Sequence, residues 1–156
     1  NIDAQYRTEY SIKALTDAGK EVECLYEYLD NWDQTTAQQD VANALAQYGE
    51  KIEVVFCNND AMALGALQSI EQAGRTVGKD IYLVGVDALK EAVQNVVDGK
   101  MTGTIKQDEE GMANGIAYLA KNIQAGKDLM ADTDSFNISE KVSNKIYIPY
   151  ATYTGE

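Results

Sequence analysis

A doubly wound α/β fold on a parallel sheet is what this sequence predicts, and three observations carry that prediction. Strand-sized apolar runs alternate with segments of helical period, the helical segments close on glycines, and polar residues collect where strands give way to helices. In chain order, residues 4–18 read as a helix ended by Gly19, 21–29 as a strand, and 34–48 as a helix whose Ala37, Val41, Leu45 and Tyr48 share a face before Gly49. The stretch 52–57 is a buried-type strand that delivers Asn58, Asn59 and Asp60 to the start of a helix over 60–73. Small residues at Ala61, Ala63, Gly65 and Ala66 let that helix lie close against the sheet, Leu67 and Ile70 give it an apolar stripe, and Gly74 follows it. Strand 81–86 leads to helix 88–98, with Leu89, Ala92, Val93, Val96 and Val97 in one stripe before Gly99. Strand 102–106 leads to helix 109–125, with Met112, Ile116, Leu119, Ala120 and Ile123 facing one way before Gly126. A polar stretch over 127–144 and a last strand over 145–150, which holds the only proline, complete the pattern. Apolar strands joined through helices argue for a parallel sheet covered on both faces.

Composition excludes several function classes. The 156 residues are 45% hydrophobic, enough for a real core and about one domain. Lys plus Arg number 13 against 25 Asp plus Glu, and the net charge of −12 repels phosphate backbones and anionic lipid, so nucleic acid is not an expected partner. No run of about 18 apolar residues offers a membrane span. Residues 1–3 have neither the basic region nor the apolar stretch of a signal peptide, so an export signal is expected upstream or already removed. Cys24 and Cys57 lack the spacing of a zinc site or redox pair and read as buried free thiols.

In open parallel sheets ligands bind beyond the carboxyl ends of the strands, and the residues leaving these strands are alike. Strand 21–29 exits through Asp30, Asn31 and Trp32, strand 52–57 through Asn58, Asn59 and Asp60, strand 81–86 through Asp87, and strand 102–106 through Gln107 and Asp108. Asp3 and Arg7 lie four apart at the start of the first helix. Carboxylates, amides, a guanidinium and an indole together suit a neutral polyhydroxylated molecule, whose hydroxyls donate and accept and whose C–H face an aromatic ring can cover. Each residue also has a plainer explanation. Asn59, Asp60, Asp87 and Asp108 precede helices, where Asn and Asp cap free N–H groups. Trp32 fits a packing role, and Asp3 with Arg7 fits an exposed ion pair.

The joint pattern resembles the second half of the periplasmic-binding-protein type 1 family, and most closely its galactose/glucose-binding members. The residues that carry the resemblance are Asn1-x-Asp3-Ala4-x-x-Arg7-Thr8-x-Tyr10, Trp32-Asp33 with Thr36-Ala37-Gln38, Ile52-Glu53-Val54-Val55 through Asn58-Asn59-Asp60-Ala61-Met62-Ala63, Val84-Gly85-Val86-Asp87-Ala88-Leu89, and Gly103-Thr104-Ile105-Lys106-Gln107-Asp108. The resemblance implies a sugar site made by Asn1, Asp3, Arg7, Trp32, Asn59, Asp87 and Gln107. In it Asp87, Asn59, Asp3 and Arg7 fix hydroxyls, Trp32 stacks on the ring, and Gln107 sits at a hinge crossing. Asn1 stands where the best-known members have histidine and Gln107 where they have asparagine, which changes reach while keeping hydrogen-bonding ability.

By the same resemblance the chain is a fragment of a two-lobed, non-enzymatic solute-binding protein. It would capture D-galactose or D-glucose for an ABC importer, and its further partners would be a chemoreceptor and the amino-terminal half of the same protein. The implied location is periplasmic or extracellular, with an upstream segment as the place for an export signal or lipid anchor. Residues 1–106 would form the carboxy-terminal lobe without its first strand, 107–144 a hinge crossing and a helical piece of the other lobe, and 145–156 a hinge and return strand. The missing strand would lie between strands 21–29 and 52–57, leaving both with unpaired inner edges. No cofactor is required. Calcium binding in the intact protein would use Glu53, but calcium takes about six to eight oxygens and one carboxylate cannot supply them. Two rival readings stay open on the residues alone. The ligand-binding domain of a lac-repressor-like regulator shares the fold and the strand–Asn–Asp–helix motif. An enzyme on a nucleotide-binding fold would need a G-x-G-x-x-G or P-loop, neither of which is present, and acid–base work without histidine.

Overall fold

The computed structural model describes residues 1–133 and 135–156, and they divide into two compact units, 1–106 with 152–156 and 107–151. In the first unit the helices are α1 (Ile2–Asp17), α2 (Gln34–Tyr48), α3 (Asp60–Gln72) and α4 (Lys90–Val97), and the strands are β1 (Val54–Phe56), β2 (Tyr82–Asp87) and β3 (Gly103–Lys106). β1 pairs in parallel with β2, Val55 opposite Leu83, and β2 with β3, Gly85 opposite Thr104. β6 (Ala151–Tyr153) takes the place beyond β3. The return strand therefore falls later than the 145–150 expected from sequence. Within 145–150 only β5 (Ile146–Tyr147) is a strand, and Pro149, which has no N–H to donate, lies between it and β6.

The core gathers between α2, α3, α4 and one face of the sheet, where Ala44, Ala63, Ala66, Ile70, Ile81, Leu83 and Ala92 are wholly buried. Val54, Phe56 and Tyr82 alternate onto the other face and stay 38%, 41% and 48% exposed, so cover is complete on one face only. The small residues of α3 serve two neighbours rather than one. Ala63 lies under Gly85 of β2, whereas a Cβ on Gly65 would collide with the main-chain carbonyl of Gln34 at the start of α2. Gly65 thus sets the approach of two helices, and Ser69 Oγ donates to Gln38 O at 2.6 Å one turn further along the same contact. The predicted helix stops hold: Gly19, Gly49, Gly74, Gly99 and Gly126 all sit at positive φ, where a glycine following the last turn costs least.

Segment 21–29 forms no ladder, contrary to the strand expected there. Between it and β1 lies a slot of about 280 Å³, lined by residues 21–28, by 51–58 and by Thr8, Ser11, Ile12 and Leu15 of α1. The sequence has strand character in 21–29, but a strand is defined by its partner's hydrogen bonds, and the slot separates it from the nearest one. The same opening leaves α1 with no buried side chain and leaves Cys24 exposed, against the expectation of two buried thiols.

In the second unit α5 (Glu109–Gln124) is capped by Asp108, whose Oδ1 accepts from Gly111 N at 3.0 Å. β4 (Asn137–Ile138), inside the 127–144 stretch expected to be polar connection, pairs antiparallel with β5. Asn122 is buried and donates to Leu129 O and Ala131 O at 3.0 and 2.8 Å. Ile116 and Ile123 of the predicted α5 stripe remain 71% and 66% exposed.

Candidate functional site

The carboxyl edge of the first unit's sheet is organised by Asn58, which leaves β1. Its Nδ2 donates to Ala4 O and Thr8 Oγ1 at 3.2 and 2.8 Å, and its carbonyl accepts from Arg7 Nη1 at 2.7 Å. These bonds hold the first turns of α1 at the strand end and aim its only arginine over the edge. Arg7 Nη1 lies 3.8 Å from Asp87 Oδ1, and the guanidinium carbon stands 5.7 Å from the centre of the Trp32 ring. Trp32 follows Asn31 in a turn where both residues adopt left-handed φ, 51° and 67°, closed by the Asp33 N–H donating to Asp30 O. Asn59 joins the group by donating Nδ2 to Trp32 O at 3.4 Å. Arg7, Trp32, Asn59 and Asp87 are therefore brought together on one edge, and none of them lines the slot beside β1.

The capping alternative divides the four candidates. Asn59 caps α3 by accepting from Met62 N at 2.9 Å, and Asp108 caps α5. Asp87 caps nothing, because α4 begins only after Leu89 and has no side-chain cap. Two positive φ values, 119° at Asp87 and 59° at Ala88, delay that helix and turn the Asp87 carboxylate toward Arg7. Asp60 sits inside the first turn of α3 rather than before it, fully buried, with Oδ1 accepting from Thr104 Oγ1 at 2.7 Å and Oδ2 from Leu89 N at 2.8 Å. Burial raises the Asp87 carboxyl above its ordinary range, and the Arg7 guanidinium pulls the other way.

Asn1 and Asp3 are exposed at the start of α1, where Asn1 Oδ1 accepts from Asp3 N at 2.8 Å as the helix cap. Gln107 belongs to the second unit and donates Nε2 to Tyr150 Oη at 3.5 Å. Glu53 is exposed just before β1, its carbonyl accepting from Tyr82 N, and among the described residues no group of three or more His, Cys, Asp or Glu side chains could hold a metal. This donor set does not fit calcium. Sequence reasoning named Asn58 among the strand-exit residues without giving it a role of its own, and gave Thr104 none. The doubled Asn58-Asn59 was the available signal for the first, since one amide suffices for a cap.

Among the described residues no helix is long and apolar enough to cross a membrane. The edge offers a cation, a carboxylate, an amide and an indole, a set that binds polar neutral groups. Residues 1–128 match the model of the periplasmic binding protein domain. The D-galactose/methyl-galactoside binding periplasmic protein of Haemophilus influenzae is 34% identical over 149 residues, which are 95% of this chain and 43% of that protein. The putative rhizopine-binding protein of Rhizobium meliloti is 30% identical over 139 residues, 89% of this chain and 40% of that one. A periplasmic sugar-binding protein from Pseudomonas fluorescens superposes with a TM-score of 0.69 at 29% identity, over 80% of this chain and 37% of that structure. A solute-binding protein from Actinobacillus succinogenes with bound D-allose gives 0.75 at 21% identity, over 92% and 45%, a likeness of fold. The chain thus spans less than half the length of these relatives, which are solute-binding proteins and not enzymes. The match over residues 1–128, carried on a parallel sheet, makes this chain a member of the periplasmic binding protein domain family.

Proposed function

We propose that the protein containing these residues captures a monosaccharide outside the cytoplasm and presents it to an ABC importer, and that D-galactose or D-glucose is its ligand. The observation that supports this most directly is the convergence of Arg7, Asn59 and Asp87 beside the Trp32 ring. A guanidinium and an amide donate to vicinal hydroxyls, a carboxylate accepts from them, and the indole covers the ring's C–H face. Asn1, Asp3 and Gln107 are the further hydrogen-bonding residues of this proposal. Closure of two lobes over the sugar makes the state that importer components, and a chemoreceptor in a chemotactic role, recognise. The remainder of the protein supplies the facing lobe and an extended strand that fills the slot between residues 21–28 and β1.

Calorimetry on the intact protein with a panel of pentoses, hexoses and nucleosides tests the ligand class. Heat is expected for D-galactose or D-glucose, together with a change in emission from Trp32, the only tryptophan in these 156 residues. No heat for either hexose overturns the assignment.

A further inference from the structure

We propose that Asp60 and Thr104 are positioning residues for the ligand-binding carboxylate of Asp87, forming a buried clamp on the turn that presents it; this rests on the hexose site proposed above. Asp87 and Ala88 both hold positive φ although neither is glycine, a conformation that persists only where surrounding contacts over-determine it. Those contacts are few and specific. Asp60 Oδ2 accepts from Leu89 N at 2.8 Å, and Thr104 Oγ1 accepts from Ala88 N at 3.3 Å while donating to Asp60 Oδ1 at 2.7 Å. One hydroxyl and one carboxylate therefore hold the two amides that follow Asp87.

Space and charge are arranged for the clamp. Asp60 and Thr104 are wholly buried, and Gly85, opposite Thr104 in the β2–β3 register, leaves room for the carboxylate, since a Cβ there would collide with Asp60 Oδ1. Burial pushes the Asp60 carboxyl above its ordinary range, and the hydrogen bonds from Thr104 and Leu89 offset part of that. The bonds of Asp60 run to Thr104 and Leu89, so its effect on a ligand passes through the turn that bears Asp87.

The test uses the intact protein with D-galactose and D-glucose as probes and the variants Thr104→Val, Thr104→Ser, Asp87→Ala and the Thr104→Val/Asp87→Ala pair. Thr104→Val removes the hydroxyl at nearly constant volume and is expected to weaken hexose binding about tenfold, whereas Thr104→Ser keeps it within about twofold. With Asp87 already removed, Thr104→Val is expected to cost nothing further, because the clamp then has no carboxylate to aim. A second readout needs no sugar: amide exchange at Ala88 and Leu89 should quicken about tenfold or more in Thr104→Val while the β1 and β2 amides keep their protection. Wild-type affinity in Thr104→Val, a double variant weakened by the product of its two parts, or unchanged exchange at Ala88 and Leu89 overturns the clamp. If the wild type binds neither hexose, the ligand reading falls instead, and the exchange measurement still decides whether the clamp exists.

Discussion

Gly65→Ala sets two physical effects of opposite sign against each other. Alanine is the better helix former, and at an exposed interior position the change would stabilise by about 1 kcal/mol. At Gly65 the new methyl would overlap the carbonyl oxygen of Gln34 and stand 3.1 Å from both the Gln34 carbonyl carbon and the Gln38 nitrogen. These are main-chain atoms of α2, so no rotamer change relieves the overlap and the helices must part. Parting them loosens the contact that buries Ala37, Val41, Ala44 and Leu45. Overpacking of a close contact costs about 1–3 kcal/mol, and a wholly main-chain clash belongs at the upper end, leaving a net loss of about 2 kcal/mol. Urea unfolding of the intact protein, followed by far-UV circular dichroism, should show a lower midpoint with an unchanged slope. A midpoint equal to or above the wild type would refute the main-chain contact between α2 and α3.

Asp87→Ala should weaken hexose binding by about 10- to 100-fold in calorimetry, because a hydrogen bond to a charged group contributes about 1.5–3 kcal/mol; unchanged affinity would leave Asp87 with no part in binding. Asp30 gives a pH prediction. Burial raises its carboxyl from 3.8 to about 6, helped by a hydrogen bond and charge from Asp40 and by the charge of Asp33, and its Oδ1 is buried without a hydrogen-bond partner among the described residues. The folded state thus holds the proton more tightly than the unfolded chain. The contribution of Asp30 to stability falls as pH rises from about 4 to about 6 and stays low above that. Asp30→Asn should therefore raise the melting temperature more at pH 7 than at pH 4, and an equal change at both would contradict the raised value.

Helices were readable because their signals are local: a glycine at one end, an apolar stripe, and in all but α4 an Asp or Asn cap at the other end. The 21–29 segment shows the limit of such signals. Val22, Leu25 and Tyr26 supply strand character, yet a strand also needs a neighbour within about 5 Å, and nothing local reports whether one is there. In the site, Arg7, Trp32, Asn59 and Asp87 were legible as residues leaving strands or opening a helix. Asp60 looked like one more cap. Its place one residue inside the helix, and its bonds to Leu89 and Thr104, depend on the β2–β3 register, which the sequence of α3 does not contain.

The first helix carries Arg7 but buries none of its own side chains, and polar atoms of Arg7, Asn58 and Thr8 tie it to the rest of the unit. Docking of α1 and readiness of the proposed binding edge are then the same equilibrium. Whatever fraction of molecules has α1 undocked lacks its guanidinium, and the observed dissociation constant rises in inverse proportion to the docked fraction. Substitutions that leave the polar edge untouched but alter Ile12 or Leu15 would tune affinity as a dial, with no change in which ligand is chosen.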